Sequence, residues 1–123
     1  MIRSLLLVGI GSFFGGALRY CLSTFVRGCC SEGFPWGTLA VNLLGCFVFG
    51  VLFALFQRFG AVHSSWCLLL TTGACGGFTT FSTFAGESIQ MLQMGNIVPF
   101  VCYVAASIIL GLALVALGYW LVG

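Results

Sequence analysis

Four apolar runs, each long enough to cross a bilayer, follow one another with very little chain between them. They cover about residues 4–25, 38–56, 66–94 and 98–121. A hydrocarbon core about 30 Å thick needs roughly 20 apolar residues in a helix. No water reaches that core to satisfy backbone N–H and C=O groups, so runs of this length must be helical. Composition agrees. Of 123 residues, 61% are hydrophobic and 5% charged, and a water-soluble domain needs far more charge to cover its surface. The expected fold is a single all-α integral membrane domain over residues 1–123, with four transmembrane helices. A net charge of +2 without any basic cluster argues against nucleic acid as a partner.

The N-terminal MIRSLLLVGIGSFFGG has a basic residue followed by an apolar run, as a signal peptide does. No small-x-small cleavage site follows, and the apolar pattern continues, so it reads as a retained first span. The connectors are short. RGCCSEGFPWG carries Gly33 and Pro35, QRFGAVHSS carries Gly60 and His63, and the third is a bare turn at Gly95 and Asn96. The seven cysteines include no C-x-x-C pair, and His63 is the sole histidine. A disulfide framework and a metal box therefore both lack their spacing. Cys29 and Cys30 are expected near the membrane surface.

The third run is too long for one simple crossing, and GACGGFTTFSTF occupies its middle, residues 73–84. A break in a membrane helix strands polar backbone groups, and it survives where it is buried in protein or lines a cavity. Breaks of this kind commonly hold ions or substrates. Glycines at G-x-x-x-G spacing also serve close helix packing, as Gly73 with Gly77 and Gly11 with Gly15 would. Six hydroxyl residues between Thr71 and Thr83 exceed what packing requires.

Several polar and aromatic residues are placed to act on an ion. Asn42, inside the second run, brings two N–H donors and an acceptor into the membrane, for helix adhesion or for an anion. Phe78, Phe81 and Phe84 recur every three residues, so Phe81 and Phe84 stack on nearly one helix face. An aromatic ring has a positive edge, which offers an anion attraction without a fixed charge. Tyr103 and Ser107 share a face of the last run. Two charges fall well inside the runs, Arg19 and Glu87. Arg19 is placed to reach a vestibule and attract anions, and Glu87 serves either a structural ion pair or helix-end hydrogen bond, or a proton or cation site. No nucleophile–base pair, phosphate loop or metal box appears, so the sequence offers no enzyme. Basic residues flanking the spans divide as Arg3 and Arg58 on one side and Arg27 on the other, a bias that barely selects one orientation.

Three stretches, GSFFGGALRY (11–20), GTLAVNLLGCFVFG (37–50) and above all TTGACGGFTTFSTF (71–84), resemble the CrcB/Fluc fluoride channel family, in order and over nearly the whole chain. The resemblance implies a dual-topology antiparallel homodimer in the bacterial inner membrane, with two fluoride pores built from both subunits. Asn42, Phe81 and Phe84 match the family's pore residues, Tyr103 and Ser107 would continue the lining, and Arg19 would stand in the vestibule. It implies a central structural sodium ion held by the main-chain carbonyls of Gly76 and Thr79 of both subunits. Its role would be passive export of cytoplasmic fluoride down the inside-negative potential. One departure stands out: relatives often carry Ser and Thr further along the last helix, where this chain has Gly111 and Val115. Two other readings compete. A small drug/proton antiporter needs a carboxylate in the first span, where this chain has Arg19. A packing scaffold leaves the hydroxyl cluster and Asn42 without a purpose.

Overall fold

The computed structural model describes residues 1–29, 34–61, 63–79 and 81–122. Cys30 and Gly33 of the first connector, together with Glu32, lie outside the described residues, as does Thr80 in the hydroxyl cluster. The described chain is helical throughout, with no strand among the described residues. Helix α1 spans Ile2–Cys29, α2 Trp36–Arg58 and α6 Ile97–Val122, and each is long and apolar enough to cross a membrane. Between α2 and α6 the third run folds as four pieces. These are α3 (Ser65–Cys67), a π-helical stretch π1 (Leu68–Cys75), α4 (Gly76–Phe78) and α5 (Phe81–Gln93). None of these pieces is long enough to cross alone.

Local chemistry sets these boundaries. The Ser64 hydroxyl accepts from the Cys67 N–H at 3.1 Å and caps the helix start. The Thr71 hydroxyl then donates back to the Cys67 carbonyl. A hydroxyl that takes a carbonyl from the ladder loosens the helix, and here the wider π register follows directly. At the other end, the Thr79 N–H and the Thr79 hydroxyl both donate to the Cys75 carbonyl, each at 3.0 Å. Thr79 then turns to extended backbone (φ −87°, ψ 154°), and α5 starts at Phe81. Helices α2 and α5 end alike. Gly60 (φ +65°) donates to the Gln57 carbonyl and Ala61 to that of Phe56; Gly95 (φ +78°) donates to Leu92 and Asn96 to Met91. This double closure needs a left-handed residue, which glycine supplies without strain.

The break expected within GACGGFTTFSTF is present, but the glycines are not what opens it. Gly73, Gly76 and Gly77 all stay helical, and the chain leaves the helix at Thr79. Gly73 and Gly77 serve contact instead. A Cβ on Gly73 would lie 3.0 Å from the Cα of Gly11, and one on Gly77 would lie 2.7 Å from the Ser12 carbonyl oxygen. From the opposite side, a Cβ on Gly15 would lie 2.1 Å from the Ala74 carbonyl oxygen. The two G-x-x-x-G pairs read from the sequence thus face each other and lock α1 against π1 and α4. Helices α2 and α6 use the same device. Gly50 meets the Val115 carbonyl and Gly118 the Phe47 carbonyl, so the two helices run parallel along their length. Val41, Ala54, Leu39, Met91 and Tyr103 are buried between the elements, whereas Phe13, Phe14, Leu112 and Trp120 point outward. An apolar exterior of this size suits lipid rather than water.

Candidate functional site

Thr38, Asn42 and Cys46 are spaced by four on α2 and so share one face. Tyr103, Ser107 and Gly111 do the same on α6. Contacts along the pair set these faces together. Phe34, just before α2, packs edge-on against Tyr103 with ring centroids 5.6 Å apart. One end of the lane is therefore fixed at Tyr103. Further along, a Cβ on Gly111 would sit 3.5 Å from the Cys46 Sγ.

Two hydroxyls in this lane are unpaired. The Tyr103 Oη and the Ser107 Oγ are both shielded from solvent without a hydrogen bond of good geometry among the described residues; the Thr38 hydroxyl lies near that of Tyr103 but already donates to Glu87. Tyr103 is 0% exposed. A buried hydroxyl without a partner costs about 1–3 kcal/mol, so each demands an explanation, and an ion or water passing the site supplies one. Glu87, on α5, accepts a hydrogen bond from the Thr38 hydroxyl through Oε1. The carboxylate is thereby tied to the Thr38 end of the lane.

The phenylalanines meet the same place. Phe84 packs on Tyr103 with centroids 5.0 Å apart, and Phe81 on Phe84 at 5.8 Å. Rings therefore run from Phe81 through Phe84 and Tyr103 to Phe34. The series goes from outside to inside, because Phe81 is 79% exposed and Phe84 is partly buried against the Leu39, Met91 and Tyr103 cluster. On α5 the Ser88 hydroxyl donates to the Phe84 main-chain carbonyl at 2.7 Å, one turn back along the helix. Phe78, by contrast, is turned toward α2, where it lies near Gly45.

Arg19 opens onto a separate cavity of about 270 Å³, lined also by Ser23, Arg27, Thr38 and Thr83. Its Nε donates to the Gly77 carbonyl at 3.3 Å, which anchors the charged head at the end of α4. Thr38 borders both this cavity and the Glu87 carboxylate. The guanidinium groups of Arg19 and Arg27 thus line this cavity, and the α2–α6 lane itself carries donors and ring edges without a fixed cation. An anion held this way is attracted but not trapped.

The residues at the break suit a hard cation. No group of three His, Cys, Asp or Glu side chains is gathered among the described residues, so only oxygens of the main chain and of hydroxyls are at hand there. Gly76 is exposed, and a Cβ on it would meet only the Thr71 carbonyl oxygen, at 4.0 Å. Carbonyls at the end of a helix carry the negative end of its dipole. Gly45 lets the break approach α2, since a Cβ there would fall 2.3 Å from the Thr79 Cγ2.

Asn42, half-buried between Thr38 and Cys46, Tyr103 and Ser107 therefore lie on the α2–α6 lane, Phe84 packs on its Tyr103 end, Phe81 reaches it only through Phe84, and Arg19 borders the separate cavity that Thr38 shares. Sequence reasoning missed two participants. Thr38 sits one turn before Asn42, a spacing that pointed to it. Cys46 carries no signal of its own in the sequence, and its place opposite Gly111 appears only when α2 and α6 are set in register.

Comparison with known proteins fits this geometry. The family model described as "CrcB-like protein, Camphor Resistance (CrcB)" matches residues 6–119. A protein of Phocaeicola vulgatus named fluoride-specific ion channel FluC is 44% identical over 98% of both chains. Proteins of the same name from Leptospira interrogans and Thermus thermophilus are 41% and 42% identical. The first match covers 98% of this chain and 94% of the relative, the second 99% and 95%. All three are named as ion channels rather than enzymes. The family model spans nearly the whole chain and the relatives are similar from end to end, so the chain belongs to the CrcB family.

Proposed function

We propose that this protein is a fluoride-selective channel that lets cytoplasmic fluoride leave passively across the bacterial inner membrane. One observation carries the reading: the buried, unpartnered hydroxyls of Tyr103 and Ser107 beside the Phe84 ring. Fluoride is small, strongly hydrated and a strong hydrogen-bond acceptor. To leave water it needs replacement donors at short range, and hydroxyls, the Asn42 amide and ring edges supply them. Chloride is larger and accepts more weakly, so the same donors reward it less.

The working unit is an antiparallel homodimer with two pores, each lined by both subunits. A nearly balanced distribution of Arg3, Arg27 and Arg58 supports insertion in either orientation. The outward-facing Phe81 and the open space at Gly76 support a second subunit at the break. The carbonyls of Gly76 and Thr79 from the two subunits would hold one structural sodium ion, which supplies charge neutralisation at the centre. Arg19 gathers anions at the mouth, and the potential then drives outward movement.

A drug/proton antiporter is disfavoured because α1 holds no carboxylate and Glu87 is engaged by Thr38. The reading is tested in a bacterium deleted for its own fluoride exporter. Expression of this chain should restore growth on fluoride, and Asn42→Ala should remove the rescue at equal expression. Growth that stays fluoride-sensitive with the wild-type protein present in the membrane contradicts the proposal.

A further inference from the structure

A second polar cavity, of about 460 Å³, lies at the opposite end of the bundle from Arg19. Its rim carries Arg3, His63, Ser65 and Thr72, and its floor is apolar, formed by Phe49, Phe53 and Leu68. Neither Thr71 nor Ser64 is available there, because the first donates to the Cys67 carbonyl and the second accepts from the Cys67 N–H. The remaining donors all point to one class of ligand, since no acidic side chain lines the cavity among the described residues. Glu87 is bonded to Thr38 at the other end. Arg58 at this end is occupied with the Val122 carbonyl at 3.3 Å, which leaves Arg3 and His63 as the rim's basic groups.

The level of the cavity identifies the source of the anion. Trp66, 67% exposed, flanks it, and Trp120, 77% exposed, stands in the last turn of α6 at the same end. Exposed tryptophans mark the headgroup layer of a bilayer. A basic, hydroxyl-bearing rim at that depth, above an apolar floor, matches a phosphate headgroup with its acyl chains.

We propose that the Arg3–His63 cavity binds the phosphodiester headgroup of an anionic lipid, with the guanidinium and the rim hydroxyls on the phosphate oxygens and the acyl chain against Phe49 and Phe53. The site is independent of conduction. The test uses the full protein in mild detergent with phosphatidylglycerol, phosphatidylcholine or inorganic phosphate added. Lipid retention is read by native mass spectrometry and stability by the thermal midpoint. Phosphatidylglycerol should be retained and should raise the midpoint. Arg3→Gln should weaken its binding about fivefold and His63→Gln should weaken it measurably, whereas Arg58→Gln should not. Equal losses in all three variants would reduce the effect to diffuse surface charge and overturn the site. A response to inorganic phosphate without one to lipid would assign the cavity to free phosphate and overturn the lipid assignment. Equal retention of phosphatidylcholine, or no response at all, would overturn it as well. So would Arg3→Gln lowering fluoride flux with lipid binding unchanged, which would make the cavity a mouth of the conduction path.

Discussion

Gly15→Ala should destabilise this protein, whereas Gly16→Ala, one residue away on the same helix, should not. At Gly15 the added Cβ would stand 2.1 Å from the Ala74 carbonyl oxygen, 2.9 Å from its carbon and 3.0 Å from the Phe78 nitrogen. All three are backbone atoms, so no side chain can turn aside. Atom pairs of this kind settle near about 3.5 Å, so α1 must move away from π1 and α4 by roughly 1 Å. A gap of that size forfeits about a quarter to a half of each contact across the seam, roughly 1–2 kcal/mol in all. Two hydrogen bonds that span the seam are already long, Ser12 to the Gly73 carbonyl at 3.4 Å and Arg19 to the Gly77 carbonyl at 3.3 Å. Their loss adds about 0.6 kcal/mol each. Alanine returns up to about 1 kcal/mol of helix propensity, which leaves a net loss of about 1–3 kcal/mol, the usual range for overpacking. At Gly16 nothing lies within 4 Å of the new Cβ, so only the propensity gain remains. The assay is unfolding in mixed dodecyl maltoside and SDS micelles, followed by circular dichroism. Equal stability of the two variants would refute the assignment of Gly15 to a close backbone seam.

Phe81→Ile should lower fluoride flux roughly tenfold by removing a ring edge while the proposed dimer still assembles; wild-type flux in the folded variant would take Phe81 out of the proposed pore. Tyr103→Phe and Ser107→Ala should each slow fluoride while leaving stability unchanged or raised by about 1 kcal/mol, because each removes an unpaired buried hydroxyl. A loss of stability with normal flux would instead make those hydroxyls structural. A small cationic methanethiosulfonate should block flux through Cys46, and Cys46→Ala should conduct and resist the reagent; a block that persists in Cys46→Ala would put that thiol outside the path. Gly76→Val should abolish any stabilisation of the proposed dimer by sodium over potassium, and a sodium effect that survives the change would remove Gly76 from the proposed cation site.

The spans were legible because lipid imposes a length on any apolar helix, and three of them form as single helices. The third was legible as broken, since a run of that length with a hydroxyl cluster cannot cross as one piece. It breaks within residues 73–84 as expected, at Thr79. Glycine in an isolated helix weakens it, yet Gly73, Gly76 and Gly77 stay helical. In the folded chain the missing Cβ at Gly73 and Gly77 admits the α1 backbone, and that contact keeps them helical. Nothing in a single stretch shows what will press against it. The same reason hid Cys46. The departure at Gly111 was visible, but the thiol facing it comes from a residue 65 positions earlier, and only the parallel packing of α2 and α6 brings them together. Thr38 was more accessible, lying one turn from Asn42, and its bond to Glu87 also gives that carboxylate a partner.

Ion efflux from liposomes holding the purified protein tests the central claim most directly. Vesicles loaded with potassium fluoride or potassium chloride are diluted into anion-free buffer, and valinomycin provides the counter-ion path. Rapid loss of fluoride with chloride retained is the predicted result. Retention of both anions by vesicles holding folded protein, or loss of both at equal rates, would contradict the account.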